Sequence, residues 1–225
     1  MSVAENIENL KQELGEGVKL VAVTKTQPVE TLKEAYQAGH KIFGENKVQE
    51  LTQKQTELPN DIEWHMIGHL QTNKVKYIAP FVSLVHSIDR MKLLRTVNKE
   101  ARKHKRVIPC LLQFHIAEEE TKFGLSLEEA AEMLLSKDYK EMENIRIVGV
   151  MGMATFTADQ DKVRREFRHL REIYNKLKER FFSEQDSFKE LSMGMTNDYP
   201  VALEEGSTLV RIGTAIFGER NYNQK

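Results

Sequence analysis

The chain has 225 residues, and its 33 Lys and Arg nearly cancel its 34 Asp and Glu, so no global field draws it to nucleic acid or to an anionic membrane. The single cysteine, Cys110, excludes an internal disulfide, and its apolar setting predicts a buried, inert thiol. No apolar run approaches the ~20 residues of a membrane span and the start, Met1-Ser2-Val3-Ala4-Glu5-Asn6, lacks a signal-peptide pattern, so a cytoplasmic protein of one domain, residues 1–225, is expected.

Short β-type runs alternate with amphipathic helical stretches along the chain. The first strand is predicted at 20–24 and ends at Lys25. Thr26-Gln27-Pro28 then leads into a helix that carries Val29, Leu32 and Tyr36 on one side and stops at Gly39. Further strands are predicted at 41–44, 63–67, 82–86, 107–116, 145–151, 190–193 and 209–213. Between the sixth and seventh, residues 159–182 repeat Val163, Phe167, Leu170, Tyr174, Leu177 and Phe181 at alternating four- and three-residue steps, the core stripe of a long helix. A shorter helix is expected at 199–205. About eight strands in β/α alternation predict a parallel (β/α)₈ barrel, an α/β fold. An open doubly wound sheet is the alternative, but no glycine-rich turn follows its first strand.

Barrel enzymes place their chemistry where strands hand over to helices, and Lys25 stands at such a point. An amine there suits Schiff-base chemistry with an aldehyde, although a lysine taken at random is more often a solvated strand-end residue. The seventh and eighth strands are followed by Ser192-Met193-Gly194-Met195-Thr196-Asn197-Asp198 and by Gly213-Thr214, small and amide-rich turns at the ordinals where barrels commonly hold phosphate. Taken alone, each is no more than a turn or a helix cap. Lysine and phosphate cradle together suggest pyridoxal 5'-phosphate. Arg211, two residues before Gly213, is placed to face a bound ring or to form an ordinary strand-end ion pair. Gly213 to Gly218 has the glycine spacing of a nucleotide-binding loop, but Glu219 replaces its lysine. His65 and His69 have zinc-pair spacing without the intervening glutamate or a third ligand, and His86, Ser87 and Asp89 lack a nucleophile elbow, so neither a metal site nor a hydrolase triad is expected.

Five blocks resemble the pyridoxal phosphate homeostasis protein family: Val21 to Lys25, Phe43 to Glu50, Trp64 to Lys74, Ser192 to Asp198, and Val210 to Gly218. That family is similar in fold to the N-terminal barrel of bacterial alanine racemase. The resemblance implies that Lys25 is the Schiff-base lysine, Arg211 the partner of the pyridine nitrogen, and Thr196, Gly213 and Thr214 the phosphate ligands. It implies that Asn46 and the segment Met151 to Met153 form the pocket wall, with Met153 against the cofactor. Lys122 is the reserve candidate for secondary binding. The function implied is carriage of pyridoxal phosphate and a part in vitamin B6 and amino- and keto-acid homeostasis. The expected partners are the cofactor and the apo-enzymes that receive it, and a monomer is expected. A racemase needs an acid/base on the face opposite its lysine, and one barrel lysine provides half of that apparatus, so efficient turnover is not expected. The competing functions are a weak amino-acid racemase and, more remotely, a cofactor-free barrel aldolase.

Overall fold

A computed structural model describes residues 2–118 and 123–218. The strands are β1 (Lys19–Val23), β2 (Ile42–Glu45), β3 (Glu63–Met66), β4 (Leu84–Ile88), β5 (Ile108–Gln113), β6 (Ile145–Met151), β7 (Glu190–Ser192) and β8 (Leu209–Ile212). They close in chain order into a parallel barrel. Around it lie α1 (Val3–Leu14), α2 (Val29–Gln37), α3 (Val48–Glu57), α4 (Val75–Ile78), α5 (Met91–Lys103), α6 (Leu127–Leu135), α7 (Lys137–Lys140), α8 (Gln160–Phe181), α9 (Tyr199–Glu204) and α10 (Thr214–Phe217). No described helix is long and apolar enough to cross a membrane.

The expected strands and the long helix are present. Two strands differ in extent: the fifth ends at Gln113 rather than at residue 116, and the fourth begins at Leu84 rather than at residue 82, because Val82 is a buried anchor whose amide still bonds to Ile78 O at the end of α4. Helix α1 precedes the first strand, and its signal is a capping box in which Ser2 and Glu5 exchange side-chain and backbone hydrogen bonds. Asn6 on α1 donates to Ile216 O at 2.9 Å, tying the start of the chain to α10.

Two apolar layers result from the two faces of each strand. The larger lies between barrel and helices. The smaller fills the barrel itself with Val21, Leu84, Leu111, Met151 and Leu209, against which Ile42, Ile67, Val148 and Met153 pack. Below it, at the N-terminal end, Lys19 and Glu190 pair at 2.5 Å and Thr208 Oγ1 donates to Glu190 Oε2 at 3.1 Å. The free thiol of Cys110 is buried, and burial pushes it well above the ordinary thiol range.

Strand β6 changes phase halfway. Its partners on β5 run Cys110 with Ile147 and then Leu111 with Gly149, so one residue is bulged. Before the bulge Ile145 and Ile147 face the helices and Val148 faces inward. After it Val150 faces the helices and Met151 and Met153 face inward. Gly149 sits at φ 156°, and a Cβ there would fall 1.8 Å from Glu190 O. Gly149→Ala is therefore expected to cost about 3 kcal/mol or more, lowering the thermal midpoint by roughly 10 °C. Calorimetric unfolding of the variant beside the parent checks this.

Candidate functional site

At the C-terminal mouth of the barrel is a cavity of about 430 Å³. Seven of the residues singled out from the sequence line it: Lys25 after β1, Asn46 after β2, Met153 after β6, Thr196 after β7, Arg211 in β8, and Gly213 and Thr214 at the start of α10, whereas Met151 of the expected wall lies in the apolar plug. The barrel closure brings them together, since Val21 pairs with Arg211 and Ala22 with Ile212 across the β1–β8 seam. Lys122 and Glu219 lie outside the described residues.

Arg211 is buried, 4% exposed, at the floor of the cavity. Its Nη1 donates to Ser192 Oγ at 2.6 Å and its Nη2 to Gly152 O at 3.1 Å. Burial lowers its pKa to about 10, which leaves the guanidinium cationic at neutral pH. It is a buried donor, and the Asp198 carboxylate, which also lines the cavity, raises its pKa against that burial. Behind Ser192 the polar chain continues across the barrel interior, with His86 Nδ1 3.1 Å from Ser192 Oγ and His86 Nε2 3.1 Å from His65 Nδ1. Burial holds His65 at about 3 and His86 well below the usual imidazole value, so both rings are neutral. Neutral rings allow the proton order to run either way, from Ser192 to His86 Nδ1 and from His86 Nε2–H to His65 Nδ1, or from His65 Nδ1–H to His86 Nε2 and from His86 Nδ1–H to Ser192 Oγ.

Some of these placements depart from the sequence expectation. Ser192 opens the segment expected to hold phosphate but is fully buried and serves Arg211 and His86. The turn at 195–198 is held instead by Asp198, whose Oδ1 accepts from Met195 N at 2.5 Å. His65 and His69 part company, the first inside the barrel and the second on the cavity wall, stacked on Phe123 at 4.3 Å. Among the described residues no cluster of His, Cys, Asp and Glu is arranged to hold a metal ion.

The cavity has further walls that sequence inspection passes over. Gln113 ends β5 and donates to Phe123 O at 2.9 Å. Phe123 and Phe156 stand at the rim, 58% and 82% exposed. A polar residue closing an apolar strand marks Gln113, whereas nothing local marks the two phenylalanines. Gly68 presses on the second loop so closely that a Cβ would meet Asn46 O at 2.4 Å. Asn46 Oδ1 is buried at the cavity and has no hydrogen-bond partner among the described residues.

The fold and this cavity define a class. The family model for the N-terminal domain of alanine racemase matches residues 1–221, and the alanine racemase of Bartonella henselae with covalently bound pyridoxal phosphate superimposes with a TM-score of 0.72 at 14% identity, over 99% of this chain and 60% of the racemase. The chain is thus an alanine racemase N-terminal-domain barrel. The pyridoxal phosphate homeostasis protein of Aquifex aeolicus (strain VF5) is 40% identical over 225 residues, 98% of this chain and 96% of that protein. The homologue from Haemophilus influenzae is 38% identical over 209 residues, 92% and 86% of the two chains. The chain belongs to the pyridoxal phosphate homeostasis protein family. PipY of Synechococcus elongatus PCC7942, solved with PLP bound, matches with a TM-score of 0.87 at 32% identity, over 96% of this chain and 100% of PipY.

The neutral histidines make stability depend on pH. His40, buried against Ile42 O, is likewise lowered to about 4 by burial. Unfolding returns each ring to its ordinary value of 6.5, so the unfolded chain binds more protons below that pH. Their contribution is complete above pH 6.5 and is lost on acidification, at about 1.4 kcal/mol per pH unit for each ring that charges only on unfolding. Denaturant titrations between pH 7.5 and 4.5 should show this decline, with a shallower slope in the His65→Gln, His86→Gln double variant.

Proposed function

We propose that the protein holds pyridoxal 5'-phosphate in the cavity through Lys25 and serves as a cytoplasmic, monomeric carrier that supplies the cofactor to apo-enzymes. The observation that supports this most directly is the convergence of one amine, one buried guanidinium and two threonine hydroxyls on a single cavity from three distant parts of the chain. The unpartnered Asn46 Oδ1 fits the same reading, because it offers an acceptor to a ligand hydroxyl. The donor set also matches the group: an amine for an aldehyde, and hydroxyls with helix-start amides for a phosphate. When bound, pyridoxal 5'-phosphate supplies an aldehyde that condenses with a lysine amine with loss of water, and a pyridine ring that can withdraw electrons.

Each residue then has a defined task. Lys25 presents its amine from the end of β1. Thr196, Gly213 and Thr214 cradle the phosphate, with the α10 start contributing N–H groups that have no partner within the helix. Asn46 and Met153 bound the ring. Arg211, which has donors and no acceptor, favours an unprotonated nitrogen opposite it and so weakens electron withdrawal by the ring. That electrostatic choice suits storage better than the cleavage of bonds to an amino-acid α-carbon. The relatives at 38–40% identity are pyridoxal phosphate homeostasis proteins, which favours the same role.

Three measurements test this. Borohydride reduction of the loaded protein followed by peptide mapping should label Lys25, and Lys25→Ala should abolish the visible absorbance band while leaving the thermal midpoint within a few degrees. Labelling of a different lysine in that variant would sink the assignment. Thr196→Ala or Thr214→Ala should weaken pyridoxal 5'-phosphate about ten- to a hundredfold, from roughly 1.5–3 kcal/mol per lost charged hydrogen bond, with little change for pyridoxal. Equal losses for both ligands would remove the phosphate role. Incubation with L- and D-amino acids in deuterated water should show negligible α-hydrogen exchange. Exchange at ~1 s⁻¹ or faster that depends on Lys25 would make the protein an enzyme.

A further inference from the structure

The residue after Lys25 is in an unusual conformation. Thr26 has φ 65°, and the only other described non-glycine residue with positive φ is Lys105, in the turn after α5. A β-branched side chain in this region is a genuine outlier that persists only where the surroundings hold it.

What holds it lies outside the barrel. Thr26 N–H donates to Glu50 Oε2 at 2.8 Å. Thr24 O accepts from Lys54 Nζ at 2.8 Å, and Thr24 Oγ1 donates to Glu45 Oε1 at 2.7 Å. The three charged residues are themselves joined: Lys54 Nζ lies 2.6 Å from Glu45 Oε1 and 3.5 Å from Glu50 Oε2. Glu45 is fully buried, and the Lys54 side chain is 7% exposed. Burial pushes the Glu45 carboxyl above its ordinary range against the pull of Lys54.

Burying an ion pair of this kind is rarely worth more to a fold than an apolar pair of the same volume. Here the hydrogen bonds that Glu45, Lys54 and Glu50 extend beyond themselves reach first Thr24 and Thr26, the two neighbours of Lys25, with Glu45 at the end of β2 and the others on α3. We infer that Glu45, Lys54 and Glu50 are positioning residues, an external clamp that fixes the strained 24–26 turn and thereby aims the Lys25 side chain into the cavity. This rests on Lys25 being the residue that bonds the cofactor. The clamp acts on the geometry of the amine. It touches neither the phosphate cradle nor Arg211, so loosening it slows covalent capture and leaves non-covalent affinity unchanged.

The test compares three variants with the parent. Glu50→Ala removes the acceptor for Thr26 N–H at a side chain that is 25% exposed, so the fold tolerates it. Glu50→Gln retains a carbonyl acceptor. Thr26→Gly relieves the strain at positive φ and frees the turn without touching the triad. Stopped-flow mixing of each apo-protein with pyridoxal 5'-phosphate gives the rate of covalent capture, with borohydride mapping to confirm the lysine. Calorimetry with pyridoxine 5'-phosphate, which has an alcohol in place of the aldehyde, gives the non-covalent affinity. The expected result is capture about tenfold slower or more in Glu50→Ala and in Thr26→Gly, restoration to within about threefold in Glu50→Gln, and pyridoxine 5'-phosphate affinity within about twofold throughout. Thr26→Gly should combine slower capture with an unreduced thermal midpoint, which a purely structural role would not produce. Parental capture rates in both Glu50→Ala and Thr26→Gly, with the label on Lys25, would overturn the clamp and leave the cofactor assignment standing. A parent protein that is not labelled at Lys25 would overturn both.

Discussion

Four residue pairs across the β1–β8 seam, from Lys19 with Leu209 to Ala22 with Ile212, close the barrel, and the site depends on that closure. Lys25 comes from the beginning of the chain and Arg211 and Gly213 from its end. Only the seam makes them neighbours. A slip of one residue in this register would turn every side chain of β8 to its other face, sending Arg211 out among the helices and Ile212 into the cavity. The apolar filling of the barrel enforces the register, because Val21 and Leu209 belong to the interior layer while Leu20 and Val210 belong to the layer under the helices.

The polar groups of the site are supported from two sides that do not meet. Inside the barrel, Arg211 leans on Ser192, and Ser192 on a neutral histidine pair, so the cation is hydrogen-bonded there through uncharged side chains. Outside, Glu45, Lys54 and Glu50 grip the turn that carries the lysine. The first arrangement governs the floor of the cavity and the second its amine. Either side can therefore be altered with limited effect on the other, in keeping with the near-additivity of sites that share no partners.

The sequence disclosed the barrel through the count and spacing of its strands, and it disclosed Lys25, Thr196, Gly213 and Thr214 because their positions at strand ends carry meaning one segment at a time. What it concealed was pairwise and long-range. His65 and His86 read as unrelated histidines until adjacent strands brought a nitrogen of each to 3.1 Å from the other. Ser192 sits in a motif rich in small polar residues, and only the direction of its side chain separates it from Thr196. Lys54 reads as an ordinary helix-surface lysine, since α3 shows no signal that one of its cations is turned against the barrel. The β6 bulge escapes for a related reason. A phase change of one residue inside an apolar run leaves the composition of that run unchanged.

The plug of Val21, Leu84, Leu111, Met151 and Leu209, with the Lys19–Glu190 pair beneath it, closes the cavity toward the N-terminal end of the barrel among the described residues. Whatever enters at the C-terminal mouth cannot pass on through the barrel and leaves on the side it came from, the side of Phe123 and Phe156. An occupant and its replacement therefore cannot be exchanged in one pass through the molecule, as they can in a channel. Occupancy turns over first-out, then-in, and an acceptor that takes the occupant directly must approach the same rim that admitted it.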